Sequence, residues 1–101
     1  MIRGPTPTHT FKNIPVEAVN IDKVKITYAQ AGKVVLEKRK EDCIIEDGEI
    51  KTTLTQEDTF KFDDTELVDI QLRILVKGGK VLSTYVRRNT VAECLDDEVL
   101  A

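Results

Sequence analysis

Hydrophobic and polar residues alternate along much of the chain, most strongly between Glu66 and Arg88 (ELVDIQLRILVKGGKVLSTYVRR). Val68, Ile70, Leu72, Ile74 and Val76 occupy every second position, with Asp69, Gln71, Arg73 and Lys77 among the residues between. That period of two marks a strand with one buried face and one wet face. The Gly78-Gly79 pair that follows permits the positive φ values of a tight loop, so the pattern predicts a central hairpin.

The same alternation recurs upstream. In Ile21 to Ala29, Val24, Ile26 and Tyr28 alternate with Lys23, Lys25 and Thr27, giving an apolar and a basic face. Lys33 to Lys40 reads as the return strand. A three-residue loop, Gln30-Ala31-Gly32, sets Tyr28 against Val34 and Ile26 against Leu36. A two-residue loop would instead bring Glu37 opposite Ile26, and burying that carboxylate unpaired is unfavourable. After the polar break Lys38 to Asp42, Asp47-Gly48 is a strong two-residue hairpin signal. Its register pairs Glu46 with Glu49, Ile45 with Ile50, and Cys43 with Thr52. Thr55 and Asp58 have the spacing of a capping box, predicting one helical turn with Phe60 and Phe62 as an aromatic plug. Thr90 to Glu93 fits a second such box. Residues 91–99 remain open between a short helix and a last strand.

The expected core is Val24, Ile26, Tyr28, Val34, Leu36, Ile45, Ile50, Leu54, Ile70, Leu72 and Ile74. Seven or eight short antiparallel strands with a possible helical turn indicate an all-β domain, a sandwich or a small barrel. Residues 1–10, with Pro5 and Pro7, read as an extended N-terminal arm suited to another subunit's sheet edge, and 11–101 as the single domain. Strand character nevertheless begins at Thr8 and runs to Ile14.

Composition narrows the chemistry. The 101 residues carry 15 basic and 18 acidic side chains, interspersed, for a net charge of −3. No basic stripe of the nucleic-acid-binding kind stands out, and no apolar run approaches the roughly 20 residues of a membrane span. No export signal is expected. His9 is the single histidine, and with Cys43 and Cys94 so far apart it offers no metal-ligand spacing. Cys43 falls on an inward position and reads as a small core residue, with both cysteines as free thiols. Asp63-Asp64 and Asp96-Asp97 read as solvated loop charge, as do Lys38-Arg39-Lys40 and Arg87-Arg88. Gly32, Gly48, Gly78 and Gly79 all sit at predicted turns and not in a phosphate-cradling pattern. No catalytic, cofactor-binding or metal-binding residue is therefore expected, and the chain is expected not to be an enzyme.

Four segments, in order over most of the chain, resemble one group of proteins: RGPTPTHTF (Arg3 to Phe11), ITYAQAGKVVLEK (Ile26 to Lys38), LTQEDT (Leu54 to Thr59) and IQLR (Ile70 to Arg73). These resemble small proteins encoded among the structural genes of tailed phages and prophages of Gram-positive bacteria. Pro5 departs from the pattern, where a residue such as Thr is expected. The resemblance implies an immunoglobulin-like β-sandwich similar to the N-terminal module of phage baseplate upper proteins. It also implies a non-enzymatic tail or baseplate component, in the virion or in the host cytoplasm during assembly. Its partners would be copies of itself and other phage tail proteins, with no nucleic acid and no membrane. The alternative is a small soluble module recognising a host partner or a cell-wall carbohydrate.

Overall fold

A computed structural model describes residues 6–63, 65–83 and 87–89, the last three by their backbone. The chain is a small all-β sandwich of two antiparallel sheets. In chain order the elements are β1 (Thr8–Phe11), β2 (Ile21–Gln30), β3 (Lys33–Arg39), β4 (Cys43–Glu46), β5 (Glu49–Thr53), α1 (Gln56–Phe60), β6 (Val68–Val76), β7 (Val81–Ser83) and β8 (Arg87–Asn89). The smaller sheet has the order β1-β5-β4. The larger has β3-β2-β6-β7, with β8 also paired to β6. The second strand thus lies in the sheet of the third and sixth; in the immunoglobulin order it sits with the first, fourth and fifth. No helix among the described residues is long and apolar enough to cross a membrane.

The pair at the centre is β2–β6, which runs from Ile21↔Val76 to Gln30↔Val68 with one irregularity between Ile21 and Lys23. The β6–β7 hairpin forms at Gly78-Gly79, with both glycines at positive φ, but β7 spans three residues and Val81 is 56% exposed. The organising partner of β6 is therefore β2, ten residues long and alternately buried.

Three expectations are corrected by pairing. Thr8 to Thr10 belong to β1, with Thr8↔Thr53 and Phe11↔Ile50, and Leu54 N donates to the Pro7 carbonyl at 2.9 Å. Residues 7–10 therefore lie on this chain's own β5, not free for another subunit's edge. Residues 1–5, 90–101 (with Cys94 and the second capping box) and Asp64 lie outside the described residues.

The second correction is the β2–β3 loop. Gln30 pairs with Lys33, so the loop is the two-residue Ala31-Gly32, at φ 49° and 76°. The pairing then shifts: Ala29 faces Val34, yet Tyr28 faces Leu36, leaving Val35 as a bulge. The bulge removes the objection to a two-residue loop. It moves Glu37 from Ile26 to Thr27, on the outer face, and brings Leu36 inward opposite Tyr28. Ala31 holds a left-handed conformation that asparagine adopts more readily. Ala31→Asn is expected to raise stability by about 0.5–1 kcal/mol, read as a higher urea midpoint with an unchanged slope.

The third correction is to the core. Val34, one residue before the bulge, is 57% exposed, and Ile45 is only partly buried. The other nine expected residues are buried, joined by Phe11, Ile21, Phe62 and Val68. The Asp47-Gly48 hairpin forms in the expected register. The Thr55 box also forms: Asp58 N donates to Thr55 Oγ1 at 3.0 Å and Thr55 N to Asp58 Oδ2 at 2.9 Å. Phe62 plugs the sandwich behind α1, edge-on to Tyr28 with ring centres 5.8 Å apart, while Phe60 is half-buried. At the end of β2, buried Gln30 ties down the loop before β6. Its Nε2 donates to the Asp63 and Glu66 carbonyls at 2.7 and 3.2 Å, and its Oε1 accepts from Asp63 N at 2.8 Å.

Candidate functional site: the cationic face of the larger sheet

Outward positions of β2 are basic at its start, and the register gathers further cations beside them. Lys25 lies directly opposite Arg39 on β3 and opposite Arg73 on β6. Lys23 lies beside Leu75, and Leu75 faces Val81 on β7. Strands are spaced about 4.8 Å apart, so Arg39, Lys25 and Arg73 form a row about 10 Å wide. Like charges directly across strands are destabilising, which makes the row a local expense to the fold. Glu37 offsets part of it, at 3.2 Å from both Lys25 Nζ and Arg39 Nη2. Among the described residues no carboxylate lies within ion-pair distance of Lys23 or Arg73.

The row borders a shallow groove of about 210 Å³, with Leu75 and Val81 as its apolar flank. A neighbouring hollow of about 300 Å³ continues past Lys23 to Lys40, and its lining includes the carboxylates of Asp22 and Glu41. Guanidinium groups bind carboxylates in a two-pronged fashion, and the apolar flank suits an aliphatic side chain. The face can thus accommodate an anion beside an apolar group.

The sequence-singled residues are dispersed. Of Lys38-Arg39-Lys40, Arg39 joins the face, Lys40 Nζ donates to the Ile21 carbonyl at 2.9 Å, and Lys38 turns inward to Asp58 Oδ2 at 2.8 Å. Asp63 accepts from Thr65 N and Oγ1 at 2.8 and 2.6 Å, an ordinary loop arrangement. The side chains of Arg87 and Arg88 lie outside the described residues.

A second polar cluster staples the sheets together. His9 Nδ1 on β1 is hydrogen-bonded to the Tyr28 hydroxyl on β2 at 2.7 Å. Burial lowers the His9 pKa and raises that of Tyr28, the latter helped by nearby Cys43 and Asp58, so both are neutral near pH 7. With Nε2 protonated, the hydroxyl donates to Nδ1. Cys43 is a free thiol, half-buried, donating to the Arg39 carbonyl at 3.2 Å, and burial pushes its pKa up. That disfavours the thiolate a nucleophile needs. Thr52 Oγ1 donates to the Asp42 carbonyl at 3.2 Å. The His9–Tyr28 contact is not legible in the sequence, because it joins strands in different sheets.

The staple has a pH signature. Folding holds His9 below its ordinary value near 6.5, so below that pH the unfolded chain binds the extra proton more readily. Stability is therefore expected to fall as pH drops through about 6.5. Urea melts at pH 7.5 and 5.5 check this, and His9→Gln should flatten the difference between them.

Comparison of the chain with known proteins finds no matching family model, curated protein or solved structure.

Proposed function

We propose that the chain is a non-catalytic binding component that works through protein–protein contacts on the cationic face of the larger sheet. The observation that carries this reading is the row Arg39, Lys25, Arg73, kept on adjacent strands with Glu37 as its one described carboxylate partner. A fold retains opposed like charges at a net expense unless something outside the fold neutralises them. The resemblance of four segments to phage structural proteins supplies the setting: a tail or baseplate component taken up into an assembling particle. Its partners there are other tail proteins or further copies of itself.

Carbohydrate recognition, the other reading, commonly uses exposed aromatic platforms. Here Phe11, Tyr28 and Phe62 are buried in the core, and the groove is lined by cations and aliphatic side chains. That favours a protein partner. The test is co-purification of the full chain with the products of neighbouring genes, with binding followed across a salt series. Expected is a complex weakened by salt and by Arg73→Glu. Binding indifferent to both would place the contact elsewhere, and tight binding of purified cell-wall polymer instead would reverse the choice of partner.

A further inference from the structure

We infer that the cationic groove of one copy receives the acidic segment 93–100 of a second copy. The inference rests on the reading of this face as a protein-binding surface and names its occupant. The groove sets Lys23 and Arg73, which have no ion-pair partner among the described residues, beside the apolar flank of Leu75 and Val81. The sequence of residues 93–100 is ECLDDEVL: Glu93, Asp96, Asp97 and Glu98 supply carboxylates, and Leu95, Val99 and Leu100 supply aliphatic groups. Among the described carboxylates, Asp58 is held by Lys38, Glu37 by Lys25 and Arg39, Glu46 lies 3.8 Å from Lys51, and Asp63 accepts from Thr65.

The occupant comes from another copy because of where the chain is heading. β8 runs antiparallel to β6, and its last residue, Asn89, lies opposite Val68. The groove sits at the other end of β6, by Arg73 and Leu75, about 17–23 Å back along the strand. Asp96 is seven residues beyond Asn89, a reach of at most about 25 Å when fully extended. To enter its own groove the segment must reverse at once, and after a reversal only its end, from about Glu98 to Leu100, has the length to lie there, whereas a second copy's groove can take the whole segment. A neighbouring copy placed ahead of β8 requires no reversal. One copy's segment in the next copy's groove is a head-to-tail contact, which builds rings or open rows.

Sedimentation velocity on three full-length proteins tests this: the wild type, a groove variant (Lys23→Glu with Arg73→Glu) and a segment variant (Asp96→Lys with Asp97→Lys). The wild type is expected to self-associate with rising concentration, and each variant alone to stay monomeric. Mixed in equal amounts, the two variants should associate with each other, the native segment of one in the native groove of the other and the lysine segment in the glutamate groove, although neither associates alone. The protein carrying all four changes should regain self-association. Circular dichroism and melting temperature confirm that the groove variant is folded, and Arg73→Gln serves if it is not. A synthetic peptide of residues 91–101 should bind the segment variant, and bind the groove variant about tenfold or more weakly. A wild type monomeric at every concentration, or association that survives in either variant, overturns the inference. So does a peptide that binds the segment variant while the wild type is a monomer that refuses it, which is the signature of a segment folded onto its own groove. If tail proteins still bind through Arg73 in any of those cases, the protein-binding reading stands and only the occupant is wrong.

Discussion

Replacing Asp58 with alanine is expected to lower stability by about 3–5 kcal/mol, because it breaks a nearly buried ion pair and removes half of a capping box. The Asp58 and Lys38 side chains are 11% and 13% exposed, at 2.8 Å from each other. Lys38 lies on β3 opposite Ile26, a core position, so its ammonium is left among apolar groups once the carboxylate is gone. Asp58 also accepts from Thr55 N, which fixes the start of α1. Denaturant melts check the magnitude. Adding Lys38→Met to Asp58→Ala should recover much of the loss, since the stranded charge goes with it. The acid limb gives a second reading. Burial alone would raise the Asp58 pKa, but the hydrogen bonds from Lys38 and from the Thr55 backbone and side chain outweigh it, and the net shift is downward. Its contribution is thus present above the ordinary aspartate value near 4 and lost as pH falls below it. The acid transition of Asp58→Ala should be correspondingly shallower.

Leu72→Ala should cost about 2–5 kcal/mol. Leu72 is fully buried at mid-β6, paired with Ile26 at the centre of the larger sheet. Removing three carbons there opens a cavity that neither strand can collapse into, because each is fixed by pairing along its length. For a domain of this size the loss is a large share of a total of roughly 5–15 kcal/mol. A fall in melting temperature of about 10 °C or more is expected by calorimetry, with the β-sheet circular dichroism spectrum kept at low temperature. A fall of only a few degrees would mean that Leu72 is not at the centre of the core.

What the sequence made legible were features written in contiguous residues. Val24, Ile26 and Tyr28 announce β2 by alternation, Asp47-Gly48 fixes a register, and Thr55 with Asp58 caps a turn. Each depends on contacts a few residues apart. The β2–β3 pairing failed because alternation presumes a regular strand. Glu37 had to face outward, and either a longer loop or a bulge could achieve that; the backbone took the bulge. Val34 was lost from the core for the same reason. Phe11 is not legible as a core residue, because the short Thr8-to-Ile14 stretch shows no clear alternation and its inward face is set only by pairing with β5. As for the candidate site, Lys23 and Lys25 were visible as the basic face of β2. Arg39 and Arg73 join them only through the registers of β3 and β6, and the offset at Val35 decides which of β3's residues stands beside Lys25.

The bulge at Val35 also bears on how the protein behaves when crowded. β3 is the outer strand of the larger sheet, seven residues long, with Val34 bare and Val35 half covered. A straight strand of that composition is a template onto which another chain's strand can crystallise, one after another, into a fibril. Val35 breaks the even spacing of the outer amides and carbonyls at the middle of the run, so an incoming strand finds no continuous ladder to copy. Loss of that one residue would leave Tyr28 facing Leu36, since Val35 is the residue β2 skips, and would remove only the packing that half-buried Val35 adds at the core's edge. The shortened chain would fold, and its newly straight border would make it prone to form filaments on storage.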